Sequence, residues 1–136
     1  MLRARLALNQ SVNGSESARA VKALEVAVPY ELGAPISRFS ADFGALYPIY
    51  MRGEAYLDAK RGSEAAAEFQ KILDNRGIVT SDPIGAFAHL QLGRAWHAAG
   101  NDDKAKAAYR DFLALWKDAD NSPILERATA EYARLK

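Results

Sequence analysis

Residues 49–69, IYMRGEAYLDAKRGSEAAAEF, and residues 89–109, HLQLGRAWHAAGNDDKAKAAY, carry the same pattern 40 positions apart. Gly53 falls on Gly93, Ala55 on Ala95, Ala59 on Ala99, Ala65 on Ala105 and Ala67 on Ala107. Outside the two stretches the register continues with Leu73 on Leu113, Pro83 on Pro123 and Ile84 on Ile124. Aromatic character is kept at Tyr47/Phe87, Tyr56/Trp96 and Phe69/Tyr109. Chance alanine matches are expected in an alanine-rich chain, whereas glycine, proline and aromatic matches in one register are not. A fixed period of this size is the mark of a helical repeat.

Helix punctuation divides the chain the same way. The pattern predicts helices at about 2–12, 16–28, 45–60, 64–75, 83–99, 102–117 and 123–135. Asn13-Gly14 ends the first, and Ser15 is placed to cap the second, which stops before Pro29. Gly62 is expected to end the third and Ser63 to cap the fourth, which closes near Gly77. Asp82-Pro83 and Ser122-Pro123 read as a cap followed by proline in the first turn. Gly100-Asn101 reads as a terminating glycine and then a cap, with Asp102 and Asp103 favourably placed in the following first turn. No segment alternates in the manner of a strand. Short turns make hairpins, so the expected architecture is one all-α domain. It has hairpins at about 1–30, 45–77 and 83–118, a long connection at 31–44, and a capping helix at 122–136.

These hairpins resemble tetratricopeptide repeats, whose motif is W-x2-L-G-x2-Y, then A-x3-F, then P, over about 34 residues. One copy here reads Ile49-x2-Arg52-Gly53-x2-Tyr56 and then Ala65-x3-Phe69; the next reads His89-x2-Leu92-Gly93-x2-Trp96 and then Ala105-x3-Tyr109. The glycine-to-alanine spacing is 12 in both. The period is longer than the family's, by added residues near 80–85, and Pro83 and Pro123 lie beyond the family's closing proline. The resemblance implies an α-α superhelix in which Gly53 and Gly93 let the second helix approach. Ala65 and Ala105 would be the small partners there, with Tyr56, Phe69, Trp96 and Tyr109 filling the space around them. It also implies a groove lined by the first helix of each hairpin. The groove positions map onto Tyr47, Tyr50, Glu54, Leu57 and Asp58, and onto Phe87, Leu90, Arg94, His97 and Ala98. Such a face suits an extended or helical peptide. It is either open to a partner or filled by the last helix or by further chain.

Several phrases, among them Pro29-Tyr30-Glu31-Leu32-Gly33 and Phe112-Leu113-Ala114-Leu115-Trp116-Lys117, are similar to tetratricopeptide segments at the C-termini of bacterial serine/threonine protein kinases and winged-helix regulators. The likeness implies the sensory or partner-binding end of a signalling protein, a piece of a longer chain, without the catalytic part. The opening Met1-Leu2-Arg3-Ala4-Arg5-Leu6 reads as an amphipathic helix entered without a cap, which fits the same expectation.

Composition narrows the classes further. Of 136 residues, 49% are hydrophobic and 26% charged, enough apolar material for a core. Eighteen basic and 17 acidic residues are interspersed, which argues against a nucleic-acid binder. Cysteine is absent, which excludes disulfides and thiol chemistry. No apolar run approaches the length of a membrane span, so no direct membrane contact is expected; the side of the membrane on which the segment works stays open. Asp42-Phe43-Gly44 spells a kinase tripeptide without the rest of the kinase motif set. His89 and His97, eight residues apart, miss the i, i+4 spacing of a helical zinc site. His89 is expected in the core and His97 on the groove side. Asp118-x-Asp120-Asn121 lacks the glycine and the final glutamate of a calcium loop. Asn13-Gly14-Ser15 forms a glycosylation sequon that a turn explains. The expectation is a non-catalytic binding scaffold without metal or cofactor, taking a protein or peptide partner, with self-association as the alternative.

Overall fold

The computed structural model describes residues 14–32, 46–75, 83–118 and 122–135. Among them the ordered elements are α1 (Gly14–Glu25), a 3₁₀ turn (Val28–Tyr30), α2 (Tyr47–Asp58), α3 (Gly62–Asp74), α4 (Ile84–Ala98), α5 (Asp102–Leu115) and α6 (Pro123–Arg134). The described chain is helical throughout, as the punctuation predicts. The expected helix at 2–12, the Asp42-Phe43-Gly44 tripeptide, the Asp82 cap and most of the 31–44 connection lie outside the described residues.

Helices follow one another in space as in sequence: α2 packs on α1 and α3, α4 on α3 and α5, and α6 on α5. One periodicity builds the second layer. Ser17, Ala20, Val21 and Leu24 of α1 are buried at i, i+3, i+4 and i+7. The same spacing is buried in α3 (Ala65, Glu68, Phe69, Ile72) and in α5 (Ala105, Ala108, Tyr109, Phe112). Each helix thus turns a single stripe inward. In α2 and α4 five buried pairs coincide after a shift of 40: Pro48/Ala88, Met51/Gln91, Arg52/Leu92, Gly53/Gly93 and Ala55/Ala95. Only Ala128, on the same register, is buried in α6.

The glycines explain how the layers meet. A Cβ on Gly53 would stand 2.6 Å from the Phe69 ring, and one on Gly93 would stand 2.8 Å from the Tyr109 ring. The atoms nearest these glycines therefore belong to the aromatics four residues after Ala65 and Ala105, rather than to the alanines. Phe69 and Tyr109 are buried with their rings against bare backbone, and Ala65 and Ala105 are fully buried as well. Gly62 has a role that its sequence context hid. It opens α3 instead of closing α2, and its missing side chain makes room for the backbone of Ala95, Ala98 and Ala99 at the end of α4.

The residue that closes α2 is Lys60, at φ +58°, in the place that Gly100 takes at φ +77° in the next hairpin. Both turns send paired backbone bonds to the preceding helix, Lys60 N–H to Leu57 O and Arg61 N–H to Tyr56 O, then Gly100 N–H to His97 O and Asn101 N–H to Trp96 O. This is the crossed 6→1 and 5→2 pattern of a left-handed helix end. Ser63 does not cap α3, since Arg61 precedes its first turn without a side-chain bond. Pro83 likewise stands at the N-cap of α4, not in its first turn. The expected caps of the last two helices form: Asn101 Oδ1 accepts from Lys104 N–H and Ser122 Oγ from Leu125 N–H.

Candidate functional site

α2, α4 and α6 share one face, because each is the first helix of a 40-residue unit. Two polar ties link these helices at the same spacing. Gln91 Nε2 donates to Glu54 Oε1 (3.0 Å) and Arg94 Nε to Glu131 Oε2 (2.8 Å), each pair 37 residues apart. Arg94 Nη2 completes a fork on Glu131 Oε1 at 2.9 Å, and Tyr109 Oη donates to Glu131 Oε2 at 2.9 Å. Arg94 Nη1 also reaches Gln91 Oε1, and Gln91 Nε2 reaches Tyr50 Oη. The result is a continuous hydrogen-bonded chain from Glu54 to Tyr109.

Burial and charge act against each other in this chain. Burial alone would raise the Glu131 carboxyl and lower the Arg94 guanidinium. The bonds from Arg94 and Tyr109, with the charges of Arg94 and Arg127, instead hold Glu131 below its ordinary range. The bond to Glu131 holds Arg94 above its own. Burial, then the bond to Glu131, raises the Tyr109 hydroxyl. Burial and the neighbouring Glu54 charge push Tyr50 up to about 12. These side chains keep their charge states at neutral pH and brace the three helices.

Between the helices lies a cleft of ≈ 280 Å³ lined by Tyr50, Phe87, Leu90, Gln91 and Arg94 from α2 and α4, and by Pro123, Ile124 and Arg127 from α6. The structure places the groove residues unequally. Tyr47 is 41% exposed at the mouth of α2. Tyr50 is half-buried, edge-on to Phe69 with ring centroids 5.5 Å apart. Phe87 is half-buried and rests on Trp116 at 5.6 Å. Leu90 is buried with Tyr109, Phe112 and Ala128 and gives the cleft only its floor. Glu54 and Arg94 are partnered within the face. Asp58 is exposed at the end of α2, and partial burial raises its carboxyl. His97 is exposed and holds Asp102 Oδ1 at 2.7 Å, so it braces the α4–α5 turn.

Gln91, Ile124, Arg127 and Glu131 were not among the groove residues expected from sequence. The register that puts Pro123 on Pro83 and Ile124 on Ile84 also puts Arg127 on Phe87 and Glu131 on Gln91, so the signal was present. His89, expected in the core, keeps 12% of its side chain exposed on the opposite side of the molecule, 3.8 Å from Asp111. Among the described residues no group of three or more His, Cys, Asp or Glu is arranged to hold a metal ion. None of the described helices is long and apolar enough to cross a membrane.

A second polar centre lies outside the sequence reading altogether. Arg52 Nη1 and Nη2 fork onto Glu31 at 2.6 and 2.9 Å, and Nη2 also reaches Glu68 Oε2 at 2.7 Å. Lys71 Nζ meets the other Glu68 oxygen at 2.8 Å. Arg52 and Glu31 side chains are only 4% and 5% exposed. Burial would lower the guanidinium, but the bonds to both carboxylates outweigh it and hold it above its ordinary value. The cluster pins the turn after α1 onto α2 and α3.

Fold and face together define a class: an all-α protein of helical-repeat character, with a braced face made by successive first helices. Comparison with protein-family models, with curated proteins and with solved structures finds no match for this chain.

Proposed function

We propose that the chain is a tetratricopeptide-like superhelical scaffold that binds a protein or peptide on the α2–α4–α6 face and does no chemistry of its own. The observation that carries this reading is the cleft, apolar at Phe87, Leu90 and Ile124 and held open by the Glu54–Gln91 and Arg94–Glu131 ties. A braced, concave, largely apolar site loses little entropy on binding. The likeness to kinase-associated segments extends the reading: the region would be the sensory or partner-binding end of a bacterial serine/threonine kinase or a related regulator.

Tyr50 and Arg94 are poor probes, since both hold the fold together. Tyr47→Ala, Ile124→Ala and Arg127→Ala fall at exposed positions. Peptides selected from a displayed library against the wild-type chain should lose about tenfold in affinity to the triple variant, on the scale of a small hot spot. Selected binders that tolerate all three changes would refute the assignment of this face.

A second reading, self-association, has its own observation. Val26, Val28, Tyr30 and Leu32 are each at least half exposed around the 3₁₀ turn. Sedimentation equilibrium of Val28→Ser/Tyr30→Ser beside the wild type tests it: a concentration-dependent dimer lost in the variant supports it, and a monomeric wild type removes it.

A further inference from the structure

On the side opposite the braced face, a cleft of ≈ 530 Å³ opens between α3 and α5, with α4 as its floor. Its size is that of an ordinary ligand site. The repeat explains why it is open. Shifting by 40 residues puts Leu92 on Arg52, Ala108 on Glu68 and His89 on Ile49. In the first unit those places hold the buried Arg52–Glu68 pair, with Glu31 inserted above it and Ile49 closed beneath. In the second unit the long ionic side chains are cut back to leucine and alanine, so the space the guanidinium would take is vacated.

The rim of the vacated cleft is acidic. Asp74 of α3 and Asp111 of α5 both line it. Gln70 Nε2 donates to Asp74 Oδ1 at 2.9 Å, and His89 Nδ1 lies 3.8 Å from Asp111 Oδ2. Lys104, which also lines the cleft, is laid over the Trp96 ring at 4.2 Å. Leu73 and Leu92 supply apolar wall for an aliphatic stem. On the 40-residue register Leu92 stands at the place of Arg52 and Asp111 at that of Lys71, so two cations of the first unit give way to a leucine and a carboxylate.

We infer that this second cleft receives the arginine side chain of a partner protein, its guanidinium between Asp74 and Asp111 and its stem along Leu73 and Leu92. The bound guanidinium supplies positive charge above Leu92, the register counterpart of Arg52. This site is separate from the face formed by α2, α4 and α6.

Titration of the whole chain with the blocked peptide Ac-Gly-Arg-Gly-NH2, followed at the Trp96 indole N–H by NMR, tests the inference. A saturable shift is expected, absent when citrulline replaces arginine. Asp74→Asn/Asp111→Asn, both at exposed positions, should weaken the response about fivefold or more, the scale of two part-exposed ion pairs. Leu92→Arg/Ala108→Glu, which transplants the first unit's pair, should abolish it; if that variant fails to fold, the aspartate variant decides. No saturable shift, an equal response to the citrulline peptide, a stronger response to Ac-Gly-Glu-Gly-NH2, or unchanged affinity in the aspartate variant each overturns it. The Tyr47, Ile124 and Arg127 substitutions should leave the titration unaltered, so loss of the other face and loss of this cleft read out separately.

Discussion

Lys60 occupies the left-handed position that Gly100 fills one repeat later. A side chain there costs about 1–2 kcal/mol, against about 0.5–1 kcal/mol of extra backbone entropy lost by glycine. Lys60→Gly is therefore expected to stabilise the chain by about 0.5–1 kcal/mol, read as a higher urea midpoint at unchanged slope. Gly53 gives the opposite case. Alanine would gain about 1 kcal/mol of helix propensity. Its methyl, however, would stand 2.6 Å from the ring of fully buried Phe69, which has nowhere to retreat. Overpacking of about 1–3 kcal/mol wins, so Gly53→Ala should lower stability by about 1 kcal/mol in chemical denaturation. The sequence announced that Gly53 and Gly93 matter, because they recur in register. It could not say what faces them, since the ring and the glycine meet only after α2 and α3 have docked. Gly62 was misread for a related reason: a glycine in a turn has the same local pattern whether it ends one helix or opens the next against a neighbour's backbone.

Among the elements, α6 and the turn after α1 are each tied down by charge. Glu131 is the tie of α6, with its carboxyl held below the ordinary value near 4.5 by Arg94, Tyr109 and Arg127. A carboxyl with a lowered folded value contributes stability above its unfolded value and loses it as the pH falls through the lower folded one. Glu131→Gln should thus be less stable than wild type near neutral pH, with the difference closing as the pH falls below the ordinary carboxyl range. Equal urea midpoints of the two chains at neutral pH would contradict this. The turn after α1 depends on Arg52, which stays charged throughout. Arg52→Leu leaves Glu31 and Glu68 buried without it, a loss on the order of 3–5 kcal/mol. Adding Glu31→Leu and Glu68→Ala should restore most of that, because no buried carboxylate is then left unpaired and the second unit already packs Leu92 and Ala108 at the places of Arg52 and Glu68. Helix positions were legible from Gly, Pro and Asn punctuation, to within about three residues at either end. The ion cluster was not. Its members are 16 and 21 residues apart and belong to no spacing rule, so only the fold brings them together.

For the molecule as a whole, the one-after-another packing of helices makes stability a sum over neighbours. α6 meets the rest through Ala128, Tyr132 and Leu135 against Tyr109 and Phe112, and through Glu131 on Arg94. A chain ending at Asp118 would expose that cluster and leave Arg94 without its carboxylate, a loss of about 2–3 kcal/mol from re-exposed apolar area. In a repeat array the damage should fall off with distance. Amide exchange should quicken most in α5, less in α4, and little in α1, whose contacts run through α2. An equal rise in exchange along every helix would mean that the chain unfolds as a single cooperative globule. The α2–α4–α6 face would then be held by the entire fold at once. A graded response would show instead that α6 sets the rigidity of the cleft it lines.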